Sequence, residues 1–267
     1  MRYGVVVIGM PGSGKTTLTR SFADIFKIIK RPAKSINLDP ANETDFDFDV
    51  QGMIQTADVQ EAFNLGPNAS LLYCLEFLNA NFAVLSDYII SQPDCFFIFD
   101  LPGQVECYAA DYNLREIMTK LQHQLDFSLV AVHLSDCAMI NSASKYLQLQ
   151  LSTLSIQTAF NLPFMNVFNK TDMLPHQQQL EDVLQQFEEE LIYQPEGELG
   201  LELLQVLNNS GCIESSGLCA LDSKEVVQLI NDVDNRVGYS RGQLGEYKGI
   251  TPAEVRQIED YIDRAYL

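Results

Sequence analysis

The chain has 267 residues, 46% of them hydrophobic, and a net charge of -19 from 17 basic against 36 acidic side chains. That is enough apolar material for a sizeable core in one embellished domain, and the acidic balance argues against direct nucleic-acid binding over a broad surface, which needs basic patches. No apolar run approaches the roughly 18 residues of a spanning helix, so no membrane segment is expected, and a β-like run that starts almost at Met1 leaves no room for a secretory leader.

The six cysteines (Cys74, Cys95, Cys107, Cys137, Cys212, Cys219) show no C-x-x-C spacing, and several sit in apolar runs. They read as reduced, buried thiols of a cytosolic protein. His123, His133 and His176 are scattered without metal-ligand spacing and are assigned no chemistry.

In chain order, short β-branched or aromatic runs occur at 3–8, 34–38, 95–99, 129–134 and 164–168, each apolar at nearly every position. Strands buried on both faces have this character. Between them lie stretches of helical spacing, such as Leu18, Phe22, Ile25 and Phe26, then Leu147, Leu151, Leu154 and Ile156. The alternation predicts an α/β fold with a mostly parallel sheet and helices on both faces.

Two stretches exceed what a crossover needs. Residues 41–93 hold two helical patterns separated by Leu65-Gly66-Pro67-Asn68, and 176–209, rich in Glu, Gln and Leu, read as a helical insertion before a last strand-like run at 211–219. Thr251-Pro252-Ala253-Glu254 has the N-cap threonine, the first-position proline and the glutamate that open a helix. We read residues 1–240 as one domain with these insertions, and 241–267 as a helical extension.

Gly9 to Thr16 (GMPGSGKT) fits G-x-x-x-x-G-K-[ST] and lies between a strand and a helix opening at Lys15, the context the motif requires. Glycines let backbone N–H groups close on phosphates at the positive end of a helix dipole. Gly12, Ser13, Gly14, Lys15, Thr16 and Thr17 are thus the phosphate-binding set, with Lys15 reaching the β- and γ-phosphates and Thr16 offering its hydroxyl to Mg²⁺. The loop alone leaves ATP and GTP equally open.

Asn169-Lys170-Thr171-Asp172 follows the fifth strand. A carboxylate at Asp172 can accept from the ring N–H and amino group of guanine, donors that adenine does not present in that arrangement. Lys170 can lay its stem along the base, and Asn169 can tie this loop to the phosphate loop. Asp100-Leu101-Pro102-Gly103-Gln104 ends the very apolar third run, 95–99: Asp100 suits Mg²⁺ through water, Gly103 can offer its N–H to the γ-phosphate, and Gln104 or Glu106 could hold the attacking water. Asp39, in Asn37-Leu38-Asp39-Pro40, is expected to orient the water or approach the metal, the competing reading being a turn aspartate ahead of Pro40.

The ordered set GMPGSGKTT, NLDPANE, GPN, DLPGQVE and NKTD resembles the GPN-loop GTPases over nearly all of residues 3–240, with features most like the second of three eukaryotic paralogues. The resemblance implies a Mg²⁺-dependent GTPase that binds GTP or GDP and hydrolyses GTP, and a homodimer or a heterodimer with a paralogue. It maps a residue acting toward the partner's γ-phosphate onto Asn68, for which the competing reading is a capping asparagine in a helix-to-helix turn. It further implies a cytoplasmic protein that shuttles to the nucleus, working in the assembly or nuclear import of RNA polymerase II. The late guanine-supporting loop, often Ser-Ala in GTPases, maps onto Cys219 and Ala220. Three rivals stand beside this reading. A dimeric ATPase of the same class would carry an extra lysine early in the loop, near Met10, a nickel chaperone would need clustered Cys and His, and a GTP-binding scaffold or switch with negligible turnover would keep all the binding motifs.

Overall fold

A computed structural model of the chain describes residues 1–42, 44–104, 106–109, 111–174, 180–192, 200, 202, 203, 205, 206, 215–239 and 250–258. β1 (Arg2–Gly9), β2 (Ala33–Asn37), β3 (Phe48–Asp49), β4 (Phe96–Asp100), β5 (Phe127–Asp136), β6 (Phe164–Asn169) and β7 (Ser215–Leu218) form one sheet of order β3-β2-β4-β1-β5-β6-β7. Every described pairing in it is parallel. The uniformly apolar runs have their cause here. Val6 and Ile8 of β1 enter one core cluster with Phe97 and Phe99, while Val5 and Val7 enter the opposite one with Phe96 and Ile98. Each strand is buried on both faces, so alternation vanishes.

Helix α1 (Lys15–Ile28) packs Leu18, Phe22, Ile25 and Phe26 onto the second face, as their spacing predicts. The late helix α7 (Ser223–Val237) covers the same face through Val226, Ile230 and Val233. The two are clipped together by Arg31, whose guanidinium makes bidentate bonds of 2.8 and 2.7 Å to Asp234 and is roofed by Phe26, Phe96 and Tyr239. The other face carries α3 (Pro67–Ala80), α4 (Phe82–Ile90), α5 (Asn113–Gln124) and α6 (Ala143–Ala159).

The insertion differs from the sequence reading in one respect. α2 (Thr56–Phe63) and α3 flank the Gly66 cap as expected, but the second pattern is two helices, α3 and α4, bent by 57° at Asn81. Asn81 bonds back to the Phe77 carbonyl at 2.8 Å and stops the first of them. Among the described residues no single helix is long and apolar enough to cross a membrane. The two-residue β3 escaped the sequence reading because it is too short for any period. Of the last strand-like run, 211–214 lie outside the described residues, as do parts of the 176–209 insertion and of 241–267. The predicted cap at Thr251 is formed: Glu254 accepts from the Thr251 backbone N–H at 2.8 Å, and Thr251 Oγ1 accepts from that of Glu254 at 3.3 Å, opening a helical run at 252–258.

Candidate nucleotide site

The strand tips converge at the crevice where β1 is flanked by β4 and β5, the switch point at which α/β sheets bind ligands. There the β1–α1 loop bends through positive φ at Gly9, Gly12 and Gly14. A Cβ at Gly14 would lie 2.3 Å from Asn169 Nδ2, and one at Gly103 2.8 Å from the Pro11 nitrogen and 2.9 Å from Lys15 Nζ. These glycines let three separate segments close on one another. The resulting cleft, about 500 Å³, is lined by the phosphate loop, Lys15, Thr16, Thr17, Asp39, Asp100, Gly103 and Gln104.

Burial governs the charges in it. Lys15 Nζ rests on the Met10 carbonyl at 3.2 Å, and desolvation lowers its pKa, opposed by the nearby Asp100 and Asp39 carboxylates. Asp100 is 2% exposed. Burial pushes its pKa up to about 6, against the pull of the Thr16 hydroxyl, which donates to Oδ2 at 2.8 Å. Its Oδ1 is buried and has no hydrogen-bond partner among the described residues, and the same holds for Gln104 Oε1 and Ser13 Oγ. Burial likewise raises the Asp39 pKa, although its oxygens accept from Ala41 N at 2.9 Å and Asn42 Nδ2 at 2.5 Å. Asp39 thus lines the cleft and also braces its own turn through Ala41 and Asn42.

That turn is organised by Asn37, which the sequence reading passed over. Its amide nitrogen donates to Asp39 O, Asn42 O and Asp49 Oδ1, and its oxygen takes the Asp39 N–H at 2.9 Å. The only signal was a polar residue at the tip of an apolar strand.

On the base side, Asn169 Nδ2 donates to the Ser13 carbonyl at 2.8 Å, and Asn169 Oδ1 accepts the Ala220 N–H at 3.0 Å. One amide thus joins the phosphate loop, the NKTD loop and the late loop. Asp172 is exposed, in the turn Thr171–Met173. The Cys219 thiol is raised by burial and further by Asp172, and the Cys219 N–H donates to Glu225 at 2.5 Å. Asn68 is exposed in the first turn of α3 and is not among the residues lining the phosphate cleft. The Glu106 side chain lies outside the described residues.

The fold and the loop geometry define the class: a P-loop nucleotide-binding protein with a guanine-type base motif. Residues 7–239 match the family model described as "Conserved hypothetical ATP binding protein". The chain is 32% identical over 262 residues to GPN-loop GTPase 2 of Danio rerio, spanning 92% of this chain and 84% of that protein. It is 31% identical over 277 residues to GPN-loop GTPase 3 of Debaryomyces hansenii, spanning 98% of each. The fold is shared with a solved apo-form GTPase from Pyrococcus abyssi, with a TM-score of 0.72 at 19% identity over 88% of this chain and 97% of that one. The chain belongs to the GPN-loop GTPase family.

Proposed function

We propose that this protein binds GTP with Mg²⁺ and hydrolyses it to GDP. The observation that carries the reading is the Asn169 bridge, which ties the start of the NKTD loop, the loop of Lys170 and Asp172, to the phosphate loop. The matching family model is described by ATP, but a carboxylate at Asp172 complements the N1–H and 2-amino donors of guanine and would repel the acceptors of adenine. A site built to pair with donors rejects a base that leaves it unpaired.

Lys15 neutralises charge on the terminal phosphates, and backbone N–H groups of the loop cradle them. Thr16, Asp100 and Asp39 are the residues that would hold Mg²⁺. The unpartnered Asp100 Oδ1 beside the Thr16 hydroxyl fits that ion. Among the described residues no three His, Cys, Asp or Glu side chains converge, which suits a cation that draws most of its ligands from water and phosphate. When bound, Mg²⁺ supplies electrostatic stabilisation of the phosphoryl oxygens. Asp39 and Gln104 orient the attacking water, Glu106 lies on the same segment, and Gly103 donates its N–H toward the γ-phosphate.

The wider reading is a homodimer, or a heterodimer with a paralogue, in which Asn68 acts on the partner's nucleotide, in a cytoplasmic and nuclear-shuttling protein that serves RNA polymerase II assembly or import. It rests on the family resemblance. The base assignment is tested by calorimetry: wild type should prefer GTP over ATP, and Asp172→Asn should move preference to XTP, whose C2 carbonyl pairs with an amide. A variant that still favours GTP over XTP removes Asp172 from the role.

A further inference from the structure

Asp136 closes β5, and its register partner on β6 is Asn169, so the two strand tips stand side by side at the base end of the site. Both oxygens of its carboxylate are engaged. Oδ1 accepts the Ala138 N–H at 2.9 Å, and Oδ2 holds the Lys170 ammonium at 2.6 Å. The side chains are 14% and 33% exposed, respectively, so the pair is partly withdrawn from water, where such contacts outweigh the surface kind. Lys170 leaves β6 with φ at 65°. With its backbone at one strand tip and its ammonium fixed at the next, its four-carbon stem must span the gap between them.

We propose that Asp136 is a positioning residue for guanine: by pinning the Lys170 ammonium, it lays the lysine stem out as the apolar wall against which the base rests. The inference depends on the GTP reading above. Its alternative is that Asp136 serves only to cap the turn Cys137–Met139 through the Ala138 N–H. Asparagine caps as well as aspartate does, so Asp136→Asn keeps the cap and loses the charge that holds Lys170. The sign of the effect is informative. Removing a carboxylate near a polyanion would by itself tighten binding, whereas loss of the wall weakens it.

The test is a double-mutant cycle on the full chain with Asp136→Asn, Lys170→Met and both together, titrated with GDP, IDP and ADP. Wild type should prefer GDP over ADP. Asp136→Asn should weaken GDP and IDP by the same factor, about tenfold, since the wall does not read the 2-amino group. In the Lys170→Met background it should add nothing. Asp136→Glu, which keeps the ion pair, should bind GDP within about threefold of wild type, as expected when a charge-assisted contact is retained. Unchanged or tighter GDP binding by folded Asp136→Asn, or additive losses in the double variant, would overturn the assignment while leaving the GTP reading intact. A wild type without preference for GDP over ADP would overturn both.

Discussion

The side chain of Asn169 and the carbonyl of Ser13, 156 positions apart, meet at 2.8 Å, and a Cβ on the intervening Gly14 would fall 2.3 Å from the same nitrogen. Base loop and phosphate loop are one packed unit. Asn169→Ala would leave the Ser13 carbonyl and the Ala220 N–H without partners, a loss of about 1–3 kcal/mol for each group that stays buried and unpaired. We expect a lower melting temperature together with weaker GTP binding. Loss of affinity at unchanged melting temperature would mean that Asn169 touches the nucleotide without bracing the loops.

Asp39 and Gln104 reach the cleft from different strands, and Gln104 Oε1 is buried without a partner among the described residues. Groups that position water act mainly in the transition state. Asp39→Ala or Gln104→Ala should therefore slow hydrolysis by about 10²-fold or more while changing GTP affinity little. Because Asp39 also braces its own turn through Ala41 and Asn42, its variant should show the larger loss of stability. Equal loss of turnover and binding would mark either residue as structural or metal-holding.

His133 is buried in β5 among Asn166, Ser135 and Thr153, and burial holds its pKa down at about 4. The unfolded chain takes up this proton near pH 6.5, before the folded one does. The stability that the neutral ring contributes is thus present above pH 6.5 and drains away as the pH falls toward 4, by about 3 kcal/mol in all. His133→Asn should lower stability at neutral pH through the lost packing, yet show a shallower decline between pH 6.5 and 4 in denaturant titrations. Parallel declines for the two proteins would refute the assignment.

Asn68 sits one residue beyond the first-turn proline Pro67, exposed and not among the residues lining the phosphate cleft. If it serves a partner's γ-phosphate, an Asn68→Ala chain mixed with a Lys15→Ala chain should recover activity above either alone. In the mixed dimer the intact nucleotide site faces the intact asparagine. No recovery, in a mixture shown by native mass spectrometry to hold mixed dimers, would reject action in trans.

Much of this site is legible in the sequence because its parts are contiguous. GMPGSGKT and NKTD each carry their chemistry within eight residues or fewer, and the strands before them are apolar throughout. What escapes is assembled across distance. Asp136 reads as an ordinary residue after a strand until β5 and β6 are set in register, and the Asn37 network needs Asp49, which the two-residue β3 brings alongside. The break at Asn81 is likewise hidden, because apolar residues continue on both sides of it and the Asn81 side chain closes the helix by bonding the Phe77 carbonyl.

A GTPase that reads guanine should show itself in single-turnover hydrolysis with protein in excess over labelled GTP or ATP in the presence of Mg²⁺. One phosphate should be released per GTP, much faster than from ATP. Lys15→Ala, which removes the cation resting on the Met10 carbonyl in the cleft, should abolish the reaction. Release from ATP at the same rate, or no release from bound GTP in a protein shown to be dimeric, would contradict the GTPase reading.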